Sequence, residues 1–400
     1  MNDKKLIYVD NGATTRVLPE VVEAMTSVYN ETFGNPSSLY SLGRNAKTTL
    51  EEARERIASL IGCDPKELYF TSCGTESDNW AIKGIAANAL KYNKGKHIIT
   101  SKIEHHAVDH TLKALEKQGF EVTYLDVYEN GIVRPEDLEK AIREDTILVT
   151  VMYVNNEIGT IQPIKELAAI AKNHKIPFFT DAVQAVGKLD VKVKELGVDM
   201  LSMSAHKFNG PKGVGALYVR RGLIPANLIE GGGQERGKRS GTENVAGIVG
   251  MAKALELAYA RMGERAKIKE MRDYLAKKLL AIPYTRLNGD KDIRIDENVN
   301  VSFEFIEGES LLLLLDMYGI CASTGSACSS NSLDPSHVLL AIGLPHEVAH
   351  GSLRLSLCEE NTEEEVEYII EAVGDVVSLL RGMSPVWRDL ESGKKEFILK

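Results

Sequence analysis

The stretch ICASTGSACSSNSLDPSHV, residues 320–338, sets Cys328 among Gly325, Ser326, Ala327 and Ser329, with nothing bulky to pack against. A free cysteine is ordinarily a small buried hydrophobe. A thiol in a run of small, polar, turn-forming residues instead reads as a reactive group carried on a loop. Cys63, Cys321 and Cys358 sit at a probable helix end or in apolar strand-like segments and read as core thiols. Cys73 precedes a helix start, where a thiol pKa can fall, so packing and reactivity both remain open for it.

Other chemistry-bearing residues recur just past short apolar runs. ELYF is followed by TSCGTESDN, where Gly74 and Thr75 open a helix. Its first N–H groups suit a phosphate, unless Ser72 or Thr75 simply caps it. KHIIT leads into His105 and His106, and TILVTVMYV into Asn155 and Asn156. IPFFT ends at Asp181, with Gln184 close behind, and DMLSM at Ser204, His206 and Lys207. In open α/β sheets ligands bind beyond the carboxyl ends of strands. A helix N-terminus for phosphate, an acid for a ring nitrogen and a lysine for a Schiff base are together the parts that hold pyridoxal phosphate. Lys207 suits the covalent link better than Lys212, which lies in a turn between Pro211 and Gly213.

A competing motif is His346-Glu347-x-x-His350, the HExxH pattern of helical zinc sites. Pro345 and Gly351 leave room for only about one and a half turns, and no downstream GxxH supplies a third ligand. A zinc metalloprotease is therefore the remote alternative, and no metal is expected.

The elements that must position these residues follow from pattern. The 400-residue chain is 44% apolar, enough for about two domains. From about residue 66 to 220, β-branched runs (ELYFTS, KHIITS, TILVTVMYV, IPFFTD, DMLSMS, VGALYV) alternate with helical periods, the signature of an α/β layer with a mostly parallel sheet. Residues 244–282 read as one long helical connector. Beyond it, NVNVSFEF, a helix over 309–318, GICA, the Cys328 loop, GSLRLSL and a helix from TEEEVEYII form an α+β unit. A net charge of −9 argues against nucleic-acid binding. No run approaches the roughly 20 apolar residues of a membrane span, and the first residues resemble neither a secretion signal nor a transit peptide. Five cysteines without CxxC spacing fit a reducing cytoplasm.

The blocks YVDNGATT, FGNPSS, FTSCGTESDNWAIKG, EHHAV, NNEIGTIQPI, TDAVQAVGK, SAHKFNGPKGVGALYVRRG, GGGQERGKRSGTENVAG, EGESLLLLLD, STGSACSS and PSHVLLAIGL resemble those of NifS/IscS-type cysteine desulfurases, class V members of the type I pyridoxal phosphate enzymes. The resemblance implies an α/β fold. It has a large domain (15–258) with a mostly parallel seven-stranded sheet, and a smaller domain (1–14 with 259–400) carrying the catalytic cysteine loop at 321–335. It also implies a homodimer with sites at the subunit interface.

Carried over residue by residue, Lys207 holds pyridoxal 5'-phosphate, Asp181 pairs with its ring nitrogen and Gln184 with its ring hydroxyl. His105 stacks on the ring and Asn156 contacts it. Gly74, Thr75, Ser204 and His206 take the phosphate, with Thr242 reaching it from the partner subunit. Asn35 and Arg354 take the substrate carboxylate. Cys328 takes sulfur from L-cysteine for a NifU/IscU-type iron-sulfur scaffold or another acceptor. Cys73, Asn209 and Leu355 depart from the usual pattern. A selenocysteine lyase or another class V enzyme is the nearer alternative, although an aminotransferase has no need of a loop thiol.

Overall fold

The computed structural model describes residues 6–324, 335–394 and 396–399; Cys328 and its neighbours 325–334 lie outside them. The central element is a seven-stranded sheet of β2 (Leu68–Thr71), β3 (His97–Ser101), β4 (Glu121–Leu125), β5 (Thr146–Thr150), β6 (Phe178–Asp181), β7 (Met200–Ser204) and β8 (Gly215–Val219), in the order β2-β8-β7-β6-β5-β3-β4. Only β8 runs antiparallel to its neighbours. The five strands with polar clusters at their ends, β2, β3, β5, β6 and β7, therefore all point the same way.

Strands β5 to β8 are buried along their whole length, as expected for a sheet covered on both faces. Alternation divides adjacent side chains between two cores. Val149, Phe178, Leu201 and Ala216 face one, while Leu148, Phe179, Met200 and Leu217 face the other. EVTYL, which the apolar-run reading passes over, forms β4. It is an edge strand with Glu121 exposed, so it lacks the continuous apolar signal of its neighbours.

A third core gathers Ile7 and Val9 with residues from 268 to 377. It carries the antiparallel sheet β12-β10-β9 (Ser352–Ser356, Asn298–Phe303, Thr285–Leu287) and the parallel pair β1 (Ile7–Tyr8) with β11 (Ile320–Cys321). Within β12, Leu353 and Leu355 point into this core, so alternation turns Arg354 to the opposite face. Residues Val338, Leu339, Ile342, Leu344, Val348 and Ala349 join the first core instead.

The long connector is two helices, Val245–Ala260 and Arg265–Leu279, separated by a 3₁₀ turn at Met262–Glu264. Gly263 is a poor helix former. The halves also bury in different places, Ala246 to Leu255 in the first core and Ile268 to Leu279 in the third. Among the described residues, no helix is long and apolar enough to cross a membrane.

Candidate active site

At the carboxyl ends of the parallel strands lies a cavity of about 290 Å³, lined among others by Gly12, Gly74, Thr75, His105, Asn156, Asp181, Gln184, Ser204, His206, Lys207 and Arg354. The strand-end clusters thus converge on one space, and Arg354 enters it from β12.

One wall is the N-terminus of the helix Gly74–Lys91, whose N-cap, Cys73, makes no side-chain capping bond. Glu76 reaches back to the Ser72 N–H at 2.8 Å, leaving the N–H groups over Gly74 and Thr75 turned to the cavity end of the helix dipole. Gly74 is required there: a Cβ would come within 2.6 Å of Val183 Cγ2. Across from it the Ser204 hydroxyl is buried with no partner among the described residues, and His206 Nδ1 lies 3.2 Å from Thr14 Oγ1. Uncapped N–H groups and an unsatisfied hydroxyl together form an anion cradle.

Lys207 follows β7 in a short 3₁₀ turn, and its Nζ donates to Gly12 O at 2.6 Å and Ala13 O at 2.8 Å. Gly12 O also accepts from Gln184 Nε2 at 2.8 Å. The N-terminal segment is held there by Gly12 N donating to Ser356 Oγ and Asn11 Nδ2 to Ser356 O.

Asp181 accepts from Val183 N at 2.9 Å. Beside it lies Asp78, which the strand-end reading missed; Asp78, His105 and Asp181 bring ligand atoms within 4.8 Å of one another. Burial pushes both carboxyls upward, and the charge of Asp181 pushes Asp78 further. The Val183 N–H and the Lys207 charge hold Asp181 back. A proton shared by the pair therefore sits on Asp78, leaving Asp181 anionic toward the cavity. The signal for Asp78 was in the sequence: it is an acid on the face of the helix that also carries Ala81, Ile82 and Ile85, all buried.

His105 caps the helix His106–Glu116, its Nδ1 accepting from Ala107 N at 3.1 Å, which assigns the ring proton to Nε2. Burial, then the Lys207 charge, lowers its pKa to about 4, so the imidazole is neutral near pH 7. His206 is lowered to about 4 by burial and then by Lys207. Asn156 lines the cavity, whereas Asn155 is buried and structural, accepting from Glu157 N and Ile158 N. Arg354, 3% exposed, donates to Asp10 Oδ1 at 2.8 Å and Asn156 O at 3.0 Å. Its Nε is buried with no partner among the described residues.

Two expected residues lie elsewhere. Asn35 is exposed, its Oδ1 accepting from Ser37 N, and Thr242 is exposed on the segment that follows Arg239; neither lines this cavity. That segment is anchored by Arg239 on Glu76 at 2.7 and 3.0 Å and by the buried pair Arg54–Glu235. Cys73 lines the cavity. Cys63, Cys321 and Cys358 are only half-buried, and burial raises all three thiols, Cys63 to about 12. The HExxH match falls on a four-residue helix, His346–Ala349.

Residues 7–369 match the family described as Aminotransferase class-V. A protein named cysteine desulfurase IscS from Methanosarcina thermophila is 58% identical over 386 residues, 96% of this chain and 95% of its own. One of the same name from Clostridium botulinum is 56% identical over 396 residues, 98% of this chain and 99% of its own. A solved structure titled NIFS-like protein superposes with a TM-score of 0.88 at 43% identity, covering 94% of this chain and all of that one.

Proposed function

The chain belongs to the class-V aminotransferase family, and from that premise we propose that it is a cysteine desulfurase, taking L-cysteine to L-alanine and leaving the sulfur as a persulfide on Cys328. The observation that carries this reading is the convergence of an uncapped helix N-terminus, Asp181, Lys207 and Arg354 on one cavity.

The family depends on pyridoxal phosphate, and the cavity's donors suit it. Gly74 and Thr75 N–H groups, Ser204 and His206 would hold the phosphate. Asp181 would pair with the ring nitrogen, and Gln184 and Asn156 would flank the ring under His105. When bound, the cofactor supplies an electron sink for the pair released at the substrate Cα.

The residues divide the remaining work. Arg354 offers a guanidinium to the substrate carboxylate; its contact with Asp10 keeps the fork oriented in the absence of substrate. Lys207, at the end of β7, is placed to move the α-proton. Neutral His105 carries its proton on Nε2 and can offer it as a hydrogen-bond donor, its Nδ1 lone pair being taken by the Ala107 N–H. The Cys328 thiolate attacks the substrate sulfur: an S–S bond forms, the Cβ–S bond breaks, and Cβ takes a proton to give alanine. Cysteine and one thiol thus become alanine and one persulfide, with no external oxidant.

In this reading the protein acts as a homodimer. Thr242, on its anchored segment, and the exposed Asn35 serve the partner's cavity, and the acceptor is an iron-sulfur scaffold protein of the NifU/IscU type. The division of the chain into a domain of 15–258 and one of 1–14 with 259–400 rests on the third core's pairing of Ile7 and Val9 with later residues.

The test is mass spectrometry of the enzyme after L-cysteine. Added sulfur on the Cys328 peptide with matching alanine supports the proposal. Alanine formation and sulfide release that persist unchanged in Cys328→Ser would overturn it and turn attention to Cys73.

A further inference from the structure

Outside the cavity, the helix His106–Glu116 opens with His106, Asp109 and His110 at i, i+3 and i+4, a spacing that puts all three on one face. Their ligand atoms all lie within 4.8 Å of one another. The His106 and His110 rings stack with centroids 4.9 Å apart, and the ring of His337 lies with its centroid 5.0 Å from that of His106. His337 begins a separate helix, His337–Ala341. Three imidazoles and a carboxylate from two elements therefore meet at one place, which the reaction proposed above does not use.

Two further details point to a ligand rather than to surface packing. His106 Nδ1 is buried with no hydrogen-bond partner among the described residues, although a buried ring nitrogen ordinarily finds one. His337 Nε2 lies 2.9 Å from Glu104 O. A carbonyl can only accept, so in the neutral ring the proton is on Nε2 and the lone pair is on Nδ1. A metal-bound histidine is oriented in this way, with its far nitrogen donating to a backbone carbonyl. Asp109 is oriented likewise: Lys113 Nζ holds Oδ2 at 2.7 Å, leaving Oδ1 for a second contact.

We propose that His106, Asp109, His110 and His337 form a binding site for a divalent first-row metal ion, zinc by preference. Three nitrogens and one oxygen match the tetrahedral preference of zinc. Zn–N bonds of about 2.0–2.1 Å place ligand atoms roughly 3.3 Å apart, so His106, Asp109 and His110 draw in modestly from their present spacing and His337 closes in from its place beside His106. His110, its side chain 68% exposed, is the ligand free to swing, and it opens the site to solvent. The ion would tie the first turn of the helix behind His105 to the helix that follows residues 325–334.

The test is equilibrium dialysis of the holoenzyme against zinc chloride alone, with melting temperatures measured with and without zinc. Wild type and Cys328→Ser are expected to bind one zinc per chain and to melt higher with it. His110→Asn and His337→Gln should weaken binding by at least about tenfold, the lower end for losing even an outer-shell partner, with cofactor absorption and zinc-free melting unchanged. Undiminished zinc binding in both histidine variants would overturn the site. So would loss of zinc in Cys328→Ser, which would assign the metal to the thiol, or a wild type that takes up none.

Discussion

Glu104 offers a test of the electrostatics beneath the cavity. The side chain is buried, accepts from Ser101 Oγ at 2.5 Å and holds the Met152 N–H between its two oxygens at 3.0 and 3.1 Å. Burial nevertheless dominates, lifting its pKa from 4.5 to about 8. The folded state therefore keeps a proton that the unfolded chain has already released. Stability from this group is fully present below about pH 4.5 and is lost as pH rises toward about 8. At about 1.4 kcal/mol per unit, the loss by pH 7 is on the order of 3 kcal/mol. Glu157, buried and bonded to Ser336 Oγ, is lifted to about 7 by burial and acts in the same direction. Replacing Glu104 with Gln fixes the protonated shape: its carbonyl oxygen still accepts from Ser101 and Met152, and it has no charge to develop. Urea unfolding between about pH 5 and 8 should show wild-type stability falling by a few kcal/mol relative to Glu104→Gln, because the other shifted groups, Glu157, Asp78, Asp181, His105 and His206 among them, contribute alike to both proteins. Parallel slopes in the two proteins would refute the assignment of the proton to Glu104.

Three other outcomes are expected. Gly74→Ala should weaken cofactor retention by at least about tenfold, or 1.4 kcal/mol, because its Cβ meets Val183 Cγ2 at 2.6 Å; Val183→Ala in the same chain should restore it, as read by cofactor release on dialysis. Arg354→Lys should raise KM for L-cysteine by roughly ten- to a hundredfold, the worth of about 1.5–3 kcal/mol in charged hydrogen bonds, with a smaller effect on kcat in steady-state alanine formation. Glu235→Ala should destabilise the protein by about 3 kcal/mol, because it removes the buried carboxylate of the Arg54 pair and leaves that charge only the half-exposed Glu51; the Arg54→Met, Glu235→Met pair should cost less, as denaturant midpoints will report.

The sheet was legible because β5 to β8 are buried on both faces and so appear as continuous apolar runs with polar residues at their ends. Edge strand β4 escaped for the converse reason. The connector of 244–282 read as one helix because helical period persists through it, while its break depends on which core each half joins, a tertiary fact. Lys207, Asp181, Ser204 and His206 could be located from strand ends alone. Gly12 and Ala13 could not, since they act on Lys207 through backbone carbonyls, which every residue type carries. Asp78 needed only the recognition of an acid on an apolar helix face. The i, i+3, i+4 set of His106, Asp109 and His110 was also visible, but His337 joins it across more than two hundred residues.

The contacts of Asn11 and Gly12 with Ser356 span 345 and 344 positions. At roughly 5–20 residues per second, the ribosome takes about 17 to 70 s to make that intervening chain. For the last part of that interval Lys207 already exists and its sheet can assemble, while the segment that receives its amine is held by Gln184 and His206 but not yet by Ser356. The Ser356 end of the carbonyl lock on Lys207 is therefore set late in biosynthesis, and a nascent chain arrested before β12 would present a finished sheet whose lysine acceptors are tied down from one side only.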